Sequence, residues 1–202
     1  MCVQKPEAAF EQLNNQHPLK CSYLTIIESD VAEIKLSRNK VKQKIGVGIS
    51  AEKFAPVSGE QARRLKQKYG FDPEKPLVIH VGHCSRGRGL EDLIVLQDAQ
   101  RMVVASGMFE DESMVQKLEQ DGVRIHKGFL ENVEEIYQMA DVYLFPTRST
   151  EFVISIPLSV MEALSCGTPV IGYRSFANLM EIKCDPQGIT CIDDCSEIPQ
   201  IL

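Results

Sequence analysis

From Pro76 onward the chain alternates between two kinds of pattern. Short apolar, β-branched runs fall at residues 77–82, 102–107, 123–128, 142–147, 169–173 and 189–193 (LVIHVG, MVVASG, VRIHKG, VYLFPT, PVIGY, ITCID). Continuous runs of this kind predict strands covered on both faces. Between them LEDLIVLQDAQ, DESMVQKLEQ, NVEEIYQMA and PLSVMEALS carry apolar residues at three- and four-residue spacing, which predicts helices. Strict strand–helix alternation implies parallel strands joined by right-handed crossovers, an α/β, doubly wound, Rossmann-like sheet. Ligands of such sheets bind beyond the carboxyl ends of the strands. Chemistry is therefore expected in the loops HCSRGRG, SGMFEDES, GFLEN, PTRSTEF and YRSFAN.

Upstream, SYLTII (22–27) predicts a strand, ESDVAEIKLSR a helix and KIGVGI a further strand. Residues 50–58 read as a linker-like turn region. GEQARRLKQKYG predicts an amphipathic helix ending at Gly70, with Pro73 and Pro76 beyond it. A seam is expected near residues 45–58, and no internal repeat is visible.

Composition narrows the class. A length of 202 residues suits one large domain, or one domain with a piece of another. The net charge of −6 argues against non-specific nucleic-acid binding, so no such partner is expected. No apolar run approaches the ~20 residues that span a bilayer. The polar start MCVQKPEAAFEQLNNQ is not a signal peptide. A cytoplasmic location is expected. The seven cysteines, Cys2, Cys21, Cys84, Cys166, Cys184, Cys191 and Cys195, lack CxxC spacing. They are expected to be idle thiols in a reducing compartment, with no metal site.

Three stretches carry candidate chemistry. In HCSRGRGLEDL, Gly87 and Gly89 open a loop in which Arg86 and Arg88 precede a helix at Leu90. Glycines, guanidinium groups and a helix N-terminus suit a phosphate or diphosphate. A surface loop with solvated arginines fits the same composition equally well. In VISIPLSVMEALSCGTPVIGY, Ser155 can cap a helix, Pro157 suits its first turn and Gly167 ends it. Leu158, Met161 and Leu164 are expected to face the core, with Glu162 at the edge of that face. A carboxylate there can accept from two ribose hydroxyls. Taken alone, Glu162 reads more simply as a solvated surface residue. In GFLEN, Gly128 admits close approach, and Phe129 or Leu130 could pack on a flat base. Core packing is the competing reading.

The run from about Lys44 to Leu202, through IGVGISAEKFAPVS, LVIHVGHCSRGRGLEDLI, VRIHKGFLENVEEIYQMADVYLFPT and IPLSVMEALSCGTPVIGY, resembles the C-terminal nucleotide-sugar-binding domain of family-4 (group 1) GT-B glycosyltransferases. The resemblance implies that residues 1–45 are the tail of an N-terminal acceptor domain and its linker. Residues 46–202 would then be the donor domain, stopping short of its last helix, with the rest of the protein outside this chain. It implies retaining transfer of a hexosyl group from a nucleoside-diphosphate-sugar to an acceptor, without metal or cofactor. Arg88 and His83 would be the catalytic cations, with Arg86 beside them. Glu162 would hold the ribose, the backbone of Phe129 and Leu130 the base, and the helix tip at Ser155, Leu158 and Ser159 the rest of the donor.

Two positions depart from the family pattern. The paired glutamate expected eight residues before Glu162 falls on Ile154, with Glu151 three residues away, and the phosphate-binding arginine falls on His83. The family's lysine falls on Arg88, which keeps the charge. The expected partners are a nucleotide-sugar and an acceptor that is a sugar, lipid or protein. Peripheral membrane association through the missing domain is left open. The alternative, which the two departures favour, is an inactive nucleotide- or nucleotide-sugar-binding module. A response-receiver domain shares the sheet but needs an acidic cluster after its first strand, and HVGHCSRGRG has none.

Overall fold

The computed structural model of the chain describes residues 22–25, 40–44, 48–107, 110–149, 157–179 and 188–202. It divides into two compact units, Met1–Gly48 with Val153–Pro157, and Ile49–Phe152 with Leu158–Leu202. In the first, β1 (Ser22–Thr25) and β2 (Lys40–Lys44) pair in parallel, with a register irregularity between Tyr23 and Leu24. The first strand lies where SYLTII predicts it. The second falls at KVKQK and meets the expected KIGVGI strand only at Lys44, while residues 45–47 lie outside the described residues. The helix expected over ESDVAEIKLSR lies outside the described residues.

The second unit is a six-stranded parallel sheet flanked by helices. After α1 (Gly59–Lys68), the elements run β3 (Leu77–Gly82), a 3₁₀ helix (Leu90–Val95), β4 (Gln100–Ala105), α2 (Glu112–Gln120), β5 (Arg124–Lys127), α3 (Val133–Met139), β6 (Val142–Phe145), α4 (Leu158–Ser165), β7 (Val170–Tyr173), α5 (Arg174–Leu179), β8 (Ile189–Ile192) and α6 (Ile198–Ile201). The strand order is β5-β4-β3-β6-β7-β8. All six expected strands are present. The central ones are buried almost throughout, whereas β5, at an edge, exposes Arg124 and Lys127.

Capping follows local sequence. Ser58 Oγ accepts from the Gln61 amide at 3.2 Å to start α1, and Gly70 follows its end at φ 72°. Asp111 caps α2 by accepting from the Ser113 and Met114 amides at 3.0 and 3.3 Å.

Four expectations need correction. LEDLIVLQDAQ forms only a 3₁₀ helix, because the buried Arg101 guanidinium takes the Leu93 carbonyl at 3.2 Å and Asp92 is drawn into an ion pair. YRSFAN, expected as a loop, forms α5, where Phe176 and Ala177 are buried and Phe176 packs on Phe145 with ring centroids 5.0 Å apart. The buried face of α4 is Val160 and Ala163, not Leu158, Met161 and Leu164, and Leu158 is 37% exposed. Val160 packs beside Phe145, Val170 and Phe176, and the small Ala163 lets the helix lie close to the sheet. Finally, Cys191 on β8 is disulfide-bonded, with a partner outside the described residues, whereas Cys84, Cys166 and Cys195 are free.

Among the described residues no helix is long and apolar enough to cross a membrane, and no group of three His, Cys, Asp or Glu could hold a metal.

Candidate nucleotide-sugar site

The chain lays β3, β4 and β5 outward in one direction, then returns to place β6 on the other side of β3. Strand order reverses at that point, where ligands of such sheets bind, and the loops leaving β3 and β6 lie beyond it. These two loops touch. Gly89 has φ +73°, and a Cβ there would lie 2.4 Å from the Pro146 carbonyl oxygen and 2.7 Å from Arg148 Nη1. Only glycine fits this conformation and this clearance together.

The turn between Gly82 and Gly89 buries Arg88. Its amide donates to the Ser85 carbonyl at 3.3 Å, and its own carbonyl accepts from Thr147 Oγ1 at 3.5 Å. The side chain is only 8% exposed, its Nε is buried without a hydrogen-bond partner, and no carboxylate among the described residues pairs with it. Burial holds its pKa below the usual arginine value. A desolvated guanidinium with unused donors is matched by an anion.

The other basic residues of the turn sit differently. Arg86 is exposed, with Nε 2.7 Å from Asp111 Oδ2 and Nη2 donating to Ser113 Oγ at 3.2 Å, so its charge is already met at the start of α2. His83 is half-buried at the end of β3, with Nδ1 2.7 Å from Ser106 Oγ beyond β4.

Glu162 stands on α4, half-buried, and Oε2 accepts from Tyr137 Oη at 2.8 Å. Burial raises its pKa, against the Tyr137 hydrogen bond and the nearby Lys53 charge. Lys53 Nζ donates to the Glu131 carbonyl at 3.2 Å and pairs with Glu134 at 3.3 Å. Lys53 is thus anchored at the loop after β5 and the start of α3, with its charge felt by Glu162. In that loop Phe129 is 90% exposed, which excludes core packing, and Leu130 is half-buried.

Tyr143 on β6 connects the cation to the carboxylate. Its ring is fully buried, its hydroxyl donates to the Val81 carbonyl at 3.2 Å, and it shares a 2.8 Å hydrogen bond with Ser159 Oγ on α4. Burial raises its pKa, and the hydroxyl also feels both the Arg88 positive charge and the Glu162 negative charge. Tyr137 meets Tyr143 edge-on at 5.7 Å. Arg88, Ser159 and Glu162 thus stand around one buried aromatic pair. Leu158, exposed, opens the same helix, and Ser155 lies outside the described residues.

Several neighbours went unread in the sequence. Tyr137, Tyr143 and His80 sit inside runs that read as plain core. His80 is fully buried, donates from Nδ1 to the Leu144 carbonyl at 3.0 Å, stacks on Tyr143 and leaves Nε2 without a partner. Asp92, Arg148 and Tyr173 carry no local motif. Only polar residues flanking Gly89 and Pro146 hinted at them.

Comparison with known proteins places this geometry. The sulfoquinovosyl transferase SQD2 of Arabidopsis thaliana is 31% identical over 134 residues, covering 63% of this chain and 25% of that protein. An alpha-galactosylglucosyldiacylglycerol synthase of Streptococcus pneumoniae is 25% identical over 165 residues, 67% of this chain and 42% of that protein. The chain spans less than half the length of either relative. Anabaena Alr3699/HepE, solved in complex with UDP-glucose, shares the fold with a TM-score of 0.74 at 15% identity, over 96% of this chain and 55% of that one. The Rossmann-like sheet is the one found in GT-B glycosyltransferases. The family model of the group 1 glycosyl transferases matches residues 61–195, well over half the sequence. Matched over that span, the chain belongs to the group 1 glycosyl transferases.

Proposed function

We propose that this chain supplies the donor-binding half of a retaining, family-4 hexosyltransferase, which takes its sugar from a nucleoside-diphosphate carrier in the cytoplasm without a metal. One observation carries the reading: Arg88 is a buried guanidinium without a counter-ion among the described residues, set at the switch point with Glu162 across the Tyr137–Tyr143 pair. Arg88 would bind the diphosphate and neutralise charge on it as the sugar leaves, assisted by His83 and the amides opening α4. Glu162 would accept from the ribose hydroxyls, and the exposed Phe129 with Leu130 would border the base. The Anabaena neighbour was solved with UDP-glucose, which agrees with a nucleotide-sugar donor.

A second reading, a binding module without turnover, is favoured by Ile154 and His83, where the family has a glutamate and an arginine. Titrating the chain with a panel of nucleoside diphosphates, beside turnover of the matching sugar-labelled nucleotides by a full-length form that also carries the acceptor-binding half, separates them. Binding with transfer supports the enzyme, and binding alone supports the module. Equal affinity for nucleosides and their diphosphates removes both.

A further inference from the structure

Beside Arg88 lies a second guanidinium in the opposite electrostatic situation. Arg148, in the loop after β6, directs Nη2 to both carboxylate oxygens of Asp92 at 2.9 Å and to the Tyr173 hydroxyl at 2.5 Å. Its guanidinium lies 4.0 Å from the centroid of the Tyr173 ring. The Tyr173 hydroxyl in turn donates to Asp92 Oδ2 at 2.7 Å. Asp92 and Tyr173 are buried, at 6% and 3% exposure. Arg148 Nη1 lies 2.7 Å from where a Cβ on Gly89 would be, one residue from Arg88. Three separate pieces of chain therefore close on the end of the Arg88 turn: the 3₁₀ helix through Asp92, the β6 loop through Thr147 and Arg148, and the end of β7 through Tyr173.

We propose that Asp92, Arg148 and Tyr173 form a clasp that holds the Arg88 turn in its anion-binding position, and that Arg148 acts on the diphosphate through Arg88 and not by contact. The inference rests on the nucleotide-sugar reading of this site. Charge decides between the two roles. Arg148 is already neutralised by a buried carboxylate in a two-oxygen, ring-stacked arrangement, so little of its field is left for a ligand. Arg88 has no such partner among the described residues. Holding the turn also fixes the guanidinium before the ligand arrives, which reduces the ordering cost of binding.

The two roles predict opposite signs for one substitution. Asp92→Asn keeps the shape but removes the charge that Arg148 answers. If Arg148 touched the diphosphate, freeing its charge would tighten diphosphate binding. If it is part of a clasp, the turn loosens and binding weakens. The readout is the ratio of nucleoside diphosphate to nucleoside affinity, measured by calorimetry on the full chain. A general loss of stability lowers both affinities and leaves this ratio unchanged. Tyr173→Phe, which keeps the ring under Arg148, is measured beside it and decides alone should Asp92→Asn not fold. The expected result is a ratio lowered ~10-fold by Asp92→Asn and less by Tyr173→Phe. An unchanged or raised ratio in the folded variants overturns the clasp and leaves the site reading intact. No diphosphate preference in the unsubstituted chain overturns the site reading, and the clasp with it.

Discussion

A guanidinium taken out of water needs an anion, and Arg88 has none among the described residues. That imbalance makes it the most informative side chain in the molecule. Replacing it with alanine is expected to weaken nucleoside diphosphate binding by about 2 kcal/mol, roughly 30-fold, from the loss of charge-assisted hydrogen bonds, while nucleoside binding barely moves. Isothermal titration with each ligand pair checks this. Glu162 offers a test through pH. Burial lifts its pKa above the usual value of 4.5, and it must be ionised to accept two hydroxyls. Ribonucleoside affinity should therefore fall on acidification at pH values where an exposed glutamate is still charged. Glu162→Gln should flatten that profile, and 2′,3′-dideoxynucleosides should be insensitive to both changes. A dideoxy analogue that loses affinity in parallel would remove Glu162 from the ribose.

At the scale of elements, the contact between the β3 and β6 loops governs the site, and Gly89 governs the contact. An alanine there meets a backbone carbonyl at 2.4 Å while holding φ at +73°, and neither can relax without moving the other loop. Gly89→Ala should cost about 1–3 kcal/mol of stability, seen as a lowered thermal midpoint, and should reduce diphosphate affinity beyond that. Gly59→Ala, at a position with open space around it, serves as the control. Element types were largely legible in the sequence, because buried parallel strands advertise themselves as β-branched runs and caps such as Ser58 and Asp111 act on neighbours in the chain. The misses share a cause. The 3₁₀ helix, α5 and the buried face of α4 were each decided by a partner distant in sequence: Arg101 and Arg148 for the first, Phe145 for the second, the sheet face for the third. The Asp194 capping box, with Glu197 Oε1 accepting from the Asp194 amide at 2.8 Å, was a local signal left unread.

At the scale of the whole molecule, the buried polar centre links stability to pH. His80 lies at the middle of the sheet, and desolvation lowers its pKa from 6.5 to about 4, against the raising effect of its hydrogen bond to Leu144. The unfolded chain therefore binds more protons between those two values, so stability is full above pH 6.5 and falls as pH drops toward 4. The shift corresponds to at most about 3 kcal/mol. Urea unfolding across this range should show the decline, and His80→Phe, which keeps an aromatic ring against Tyr143, should make it shallower. A slope identical in both proteins would assign the acid sensitivity to other groups.

The parallel α/β sheet, the loops beyond its strands and the candidates Arg88 and Glu162 could all be read along the chain. Strand runs, glycines and caps act over a few residues, so they are written locally. Which of those candidates lie together came from contacts between distant segments. The fold met the charge of Arg86 with Asp111 and left Arg88 buried without a counter-ion among the described residues. It set Tyr143 between Arg88 and Glu162, and it locked Gly89 against Pro146 and Arg148. Desolvation and charge pairing belong to groups brought together from distant parts of the chain. No pattern along the chain records them.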